Sequence, residues 1–184
     1  MAADLLYDSS VDTPQYRNPD DIQKQTKDSQ NPVAKLVASY DTLQLKHALQ
    51  QIEHQQHMNT ADKFGFTPLL LAIKSRNQAA IDLLLEVDGL DIEAKTKRGF
   101  NAVMIAAWKG DLPTLKKLVT KGAKLDGKAE GERSVWGIAH DWHHEHILEY
   151  LETKGVGYHS FGGTRTGFPP APRWRSDEQA KETS

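Results

Sequence analysis

The chain has no cysteine in its 184 residues. Disulfides, thiolate metal sites and a cysteine nucleophile are therefore excluded. Long apolar runs are missing too. The longest, such as Leu69–Ile73, fall far short of the roughly 20 residues that cross a bilayer, so no membrane insertion is expected. Neither sign of charge dominates, with 23 Lys and Arg against 25 Asp and Glu and a formal net charge of −2. That balance marks neither a nucleic-acid binder nor a polyanion mimic. The beginning, MAADLLYDSS, lacks the basic patch and apolar stretch of a secretory signal, and its acidity argues against a mitochondrial presequence. The ending, KETS, carries no lipidation signal. There is no phosphate loop, no Gly-x-Ser-x-Gly and no paired-carboxylate arrangement. No catalytic residue and no cofactor are expected.

Apolar residues make up 38% of the chain, below the usual globular share, so part of it is expected to lie outside any core. Three regions differ in composition. Residues 1–30 are polar and net acidic, with six aspartates against Arg17, Lys24 and Lys27, and read as an extended arm. Residues 158–184 read as a second arm, in which Gly-Gly is permissive and Pro-Pro-Ala-Pro favours an extended path. Phe161, Phe168 and Trp174 punctuate this arm and are candidate anchors on a partner or on the chain's own body.

Between the arms, over residues 31–157, the chain repeats itself. Gly89, Gly122 and Gly155 are spaced by 33 residues, while Ala72, Ala106 and Ala139 follow spacings of 34 and 33, as do Thr67, Asn101 and Ser134. Three features sharing one period imply a stack of small supersecondary units. The stretch DKFGFTPLLLAIKSRNQAAIDLLLEVDG shows what each unit is. Gly65 suits a turn, Thr67 caps a helix and Pro68 fits its first position. Leu69, Leu70, Ala72 and Ile73 make a short apolar helix, and Ile81, Leu84 and Leu85 give a second helix with one buried face. Asn101 and Ser134 keep the capping role at the Thr67 position.

This pattern resembles the ankyrin repeat family, whose units open on G-x-T-P-L-H-x-A and close on a leucine run followed by Gly-Ala. Gly65-Phe66-Thr67-Pro68-Leu69-Leu70-Leu71-Ala72 is the best match, and RGFNAVMIAAWKGDLPTLKKLVTKGA repeats it. A third unit keeps Ala139, Ile147, Leu148, Leu151 and Gly155. A degenerate unit comes before these, with Leu43, Leu45, Ala48, Leu49 and Ile52 suiting a helix pair but no opening motif. Leu70, Met104 and Gly137 stand where the family has histidine. The resemblance implies an all-α helix-turn-helix solenoid of about four units with short hairpin turns, flanked by the two arms.

The resemblance also implies an interaction module that binds through its concave face, built from hairpin tips and the first helix of each unit. Its variable positions fall on Lys63, Phe64, Phe66, Lys74 and Ser75, then on Lys97, Arg98, Phe100, Trp108 and Lys109, then on Glu130, Gly131, Arg133, Asp141 and Trp142. Lys95 and Lys128 adjoin the tips. Basic and aromatic residues dominate this set, which points to a protein partner with acidic, partly apolar segments. The expected role is an adaptor or structural subunit of a larger assembly, cytoplasmic or in a cytoskeletal or ciliary setting. The alternative is an inhibitor or chaperone-like protein that sequesters one client. Nucleic acid is disfavoured as a partner. Either arm is a candidate lid for the same face.

HDWHHEHILEY at 140–150 packs four of the eight histidines into seven positions. The repeat register places a turn inside it, so the rings are expected to diverge rather than converge on a metal. Trp142 is the candidate contact there.

Overall fold

The computed structural model describes residues 31–51 and 57–157. The arms 1–30 and 158–184, with Phe161, Phe168 and Trp174, lie outside the described residues, as does Ile52.

Among the described residues eight α-helices form four antiparallel pairs. They are α1 (Pro32–Ser39), α2 (Thr42–Gln50), α3 (Pro68–Lys74), α4 (Gln78–Leu85), α5 (Ala102–Lys109), α6 (Leu112–Thr120), α7 (Val135–Asp141) and α8 (Glu145–Thr153), with a single 3-10 turn at Glu130–Glu132. Each first helix starts on a side-chain cap: Asn31, Thr67, Asn101 and Ser134 accept a backbone N–H two or three residues on. Asn31-Pro32 is thus the opening of the first unit. It went unread because it precedes Thr67 by 36 residues, not 33 or 34.

A second series of caps lies ten residues after the first. Asp41, Asn77 and Asp111 cap α2, α4 and α6, whereas His144 begins α8 with no side-chain cap bond. Between helices the chain reverses through a left-handed residue: Tyr40, Arg76, Gly110 or His143. In the last three turns the helix end is closed by paired bonds, as in Asp111 N–H to Ala106 O and Gly110 N–H to Ala107 O. This Schellman closure satisfies carbonyls that α5 cannot satisfy internally, and the next residue is already the following cap.

The first helices pack in one continuous row, α1 on α3, α3 on α5 and α5 on α7, while α2 packs on α4 in the second row. Leu69, Leu70, Leu71, Ile73, Ile81, Leu84, Met104, Leu115, Leu118, Ile147 and Leu151 are completely enclosed. No unit holds such a core by itself; stacking supplies it. Leu43, expected on the packed face of the first pair, is instead 81% exposed. It lies on α2 in the terminal unit, where no preceding unit is described to cover it.

Hairpin tips join the units on one edge. Lys97 N–H bonds Phe64 O at 3.0 Å, and Glu130 N–H bonds Arg98 O at 2.9 Å. Asp62 braces its own tip by accepting from Phe64 and Phe66 N–H. Gly65 has φ of +86°, and a Cβ there would lie 2.5 Å from Lys97 N. Only glycine fits that close approach.

Candidate functional site

The tips and the first helices line one face, and the sequence-selected residues sit along it in different states. At the first tip, the Lys63 ammonium is 5.2 Å from the Phe64 ring centre. Phe66 is half-buried against the core. Lys74 was expected on the exposed side of its helix, but it is buried, with 2% exposure, and its ammonium sits 4.5 Å from the Phe66 ring centre. It is the last residue of α3, and its chain folds back over the Phe66 ring.

At the second tip, Lys97 and Arg98 are exposed. Arg98 pairs with Glu130 of the next tip at 3.3 Å. Such an exposed pair contributes little stability, but it fixes a charge of each sign on neighbouring tips. Phe100 is half-buried and packed on the core. Arg133 is half-buried, and Ser75 and Gly131 lie at the helix end and tip positions of their units.

The densest cluster lies where α5 and α7 end. Trp108, half-buried, meets Trp142 edge to face, with ring centres 6.1 Å apart and planes at 73°. Trp142 is 44% exposed, the most open large aromatic ring of the expected set. The Lys109 ammonium lies 4.1 Å from the Trp108 ring centre, in cation–π range. Burial lowers the Lys109 pKa from its ordinary value, and the neighbouring Arg76 charge lowers it further. Arg76 donates to the Lys109 carbonyl. Sequence reading passed over Arg76 because the register sets it in a turn. The signal was there: it occupies the position of Gly110, and a long cation at that point can cross to the next unit.

The histidines form a second group beside this cluster. His140 stacks on Trp136, centres 5.1 Å apart at 15°. His144 Nε2–H donates to Trp108 O at 3.2 Å, and His146 Nε2–H to Gly110 O at 3.1 Å. Their rings meet edge to face at 5.8 Å. The expected divergence of the rings is therefore corrected for this pair: two of them converge, on the carbonyl end of α5. A turn residue and a helix-start residue lean the same way because both face that neighbouring helix terminus, whose dipole favours donors. Among the described residues no three His, Asp or Glu side chains gather where a metal ion could be held. Asp141 lies 3.9 Å from His140 Nδ1, its pKa raised by burial despite lowering by His140, Arg133 and His143.

A family model described as ankyrin repeats (3 copies) matches residues 34–129. The chain belongs to the ankyrin repeat family. The match ends before α7, and the fourth pair continues the same geometry beyond it. A curated relative, a homolog of the transient receptor potential cation channel subfamily A member 1 from Caenorhabditis elegans, is 32% identical over 95 residues. Those residues are 52% of this chain but only 8% of that protein. Repeats of this family are protein–protein interaction modules and typically non-catalytic. Among the described residues no helix is long and apolar enough to cross a membrane.

Proposed function

We propose that this chain is a non-catalytic adaptor or structural subunit that holds an acidic, partly apolar protein segment on its first-helix face. The observation that carries this reading is the Trp108–Trp142 pair with Lys109 stacked on it. Two indoles at an edge-to-face angle leave a corner that an apolar side chain fills, and aromatic anchors of this kind supply most of the affinity at interfaces. Lys109 and Arg76 sit beside that corner, and Lys97 adds positive charge at the second tip, where Arg98 is paired with Glu130. Positive charge there steers an acidic partner and fixes its register. Lys74 and Phe66 support this surface from beneath, which narrows the contact set toward Trp142, Trp108, Lys109, Lys97 and Arg98.

The likeness to the channel homolog covers too little of that protein to bring its activity here. It supports a repeat module that works by contact. A stable subunit keeps its partner at high salt, whereas a regulator that sequesters a client through charge releases it.

The test is affinity isolation with wild-type chain and with Trp142→Ala, each also at raised salt, quantified by mass spectrometry. Trp142 is exposed, so truncation leaves the core intact. A partner held through this corner is lost or reduced more than tenfold in Trp142→Ala, in line with about 2 kcal/mol for an aromatic anchor. Recovery of the same partners by the variant would overturn the reading.

A further inference from the structure

The face selects for acid next to apolar side chains, and this chain carries such a segment itself. Residues 1–16 hold three aspartates, Asp4, Asp8 and Asp12, with no lysine or arginine among them. Leu5, Leu6 and Tyr7 lie between the first two. The opposite arm lacks that sign: residues 158–184 hold Arg165, Arg173, Arg175 and Lys181 against Asp177, Glu178 and Glu182. Charge complementarity therefore picks the N-terminal segment as occupant, although the C-terminal one has more aromatic rings.

Length agrees with charge. Twenty-three residues lie between Tyr7 and Asn31, the cap of α1. A glycine-rich coil of that length would have an r.m.s. span of about 24–29 Å, and a segment with no glycine and two prolines reaches at least as far. Helices packed about 8–10 Å apart place the α5–α7 end of the row some two to three steps from α1, about 20–30 Å away. A linker whose span matches the separation gives an effective concentration on the order of millimolar. Even a weak site is then largely filled in cis.

We infer that residues 4–12 occupy the Trp108–Trp142 corner in cis, so that an external partner must displace the chain's own acidic arm. Leu5, Leu6 or Tyr7 fills the indole corner, and the flanking aspartates meet Lys109, Arg76 and the tip cations. The inference rests on the proposed reading of the face and adds its regulation. Anything that neutralises or captures the arm opens the site.

The absence of cysteine makes a direct test simple, because Ser10→Cys gives one labelling position for a nitroxide. In the full chain, the label is expected to quench the indole N–H resonances of Trp108 and Trp142, assigned by Trp→Phe variants. High salt, and charge reversal by Asp4→Lys, Asp8→Lys and Asp12→Lys together, restore them. A synthetic peptide of residues 1–16 carrying the same label is then added to the charge-reversed full chain. It is expected to quench the same two resonances, and to bind wild-type chain about tenfold more weakly because the cis arm competes. Unaltered Trp108 and Trp142 signals in the labelled wild-type chain overturn the inference. If the free peptide still binds the charge-reversed chain, the face reads acidic segments and only the cis occupancy fails. If the peptide fails to bind as well, the reading of the face fails with it.

Discussion

At position 143 a histidine does what glycine does at 110. Tyr40, Arg76, Gly110 and His143 all turn the chain with φ between +54° and +68°, in the left-handed region that costs an L-residue about 1 kcal/mol or more. Two of the non-glycine residues offset the cost by reaching the next unit. Tyr40 donates to Ser75 O at 3.0 Å and Arg76 to Lys109 O. The His143 side chain is exposed. His143→Gly is therefore expected to stabilise the fold by about 0.5–1 kcal/mol, read as a higher urea midpoint at unchanged slope. The reverse change at the central turn, Gly110→Ala, meets both the same φ penalty and the His144 ring, whose Cε1 would lie 2.7 Å from the new Cβ.

Asp141 gives a pH signature on the same scale. Its folded pKa is raised, chiefly by burial, so the folded state binds a proton more readily than the unfolded state. This group thus favours the unfolded state at neutral pH, and its penalty is relieved as pH falls through the raised pKa toward its ordinary 3.8. Asp141→Asn is expected to raise the melting temperature at pH 7, with the difference from wild type shrinking as the solution is acidified. A constant difference across that window would contradict the assigned cause. Lys109 runs on the alkaline side: its folded pKa is lowered, so its contribution to stability rises with pH between that value and 10.5.

At the scale of the helix, caps govern what could be read from sequence and what could not. Thr67, Asn101 and Ser134 were legible because each follows a glycine or arginine tip at a constant period and precedes an apolar run. Asp41, Asn77 and Asp111 were not read as caps, since the turn residue before two of them is Tyr or Arg rather than Gly. Asn31 was missed because additional residues between Gln50 and Asp62 lengthen the first period. Leu43 misled for a different reason: helical periodicity marks a face as apolar without saying whether a neighbour covers it. Together with Leu36, Gln44, His47, Ala48 and Gln51 it lines an open groove of about 390 Å³ at the end of the row. Lys74 and Phe66 misled through side-chain length. Register places their Cα atoms on the open face, but the chains fold back onto one another. The caps themselves give a graded prediction. Asn101 accepts from Met104 N–H at 3.1 Å, while Thr67 accepts from Leu70 N–H at 3.4 Å. Asn101→Ala should cost about 1–2 kcal/mol by urea unfolding, and more than Thr67→Ala.

Across the whole molecule, one row of first helices presents one face, and its chemistry is uneven. The first two tips carry their aromatic rings half-buried, so they shape the surface more than they open it. The far end, where α5 and α7 finish, gathers two indoles, Lys109, Arg76 and the His144–His146 pair around one helix terminus. Arg76, His144 and His146 bond the last carbonyls of α5 and its turn from both flanks, so the corner is held by two neighbouring units at once. The repeat stack was legible from its period and the family's general mode of action from the resemblance; the Trp108–Trp142 corner was not legible, because it depends on which side chains cross between units. The most direct measurement of the central claim is selection of a random peptide library on the immobilised chain bearing the charge-reversed N-terminal arm. The account predicts enrichment of Asp or Glu beside Leu, Phe or Tyr, abolished when the same selection is run with Trp142→Ala and Lys109→Ala. Enrichment without acidic residues, or enrichment that survives both substitutions, would contradict it.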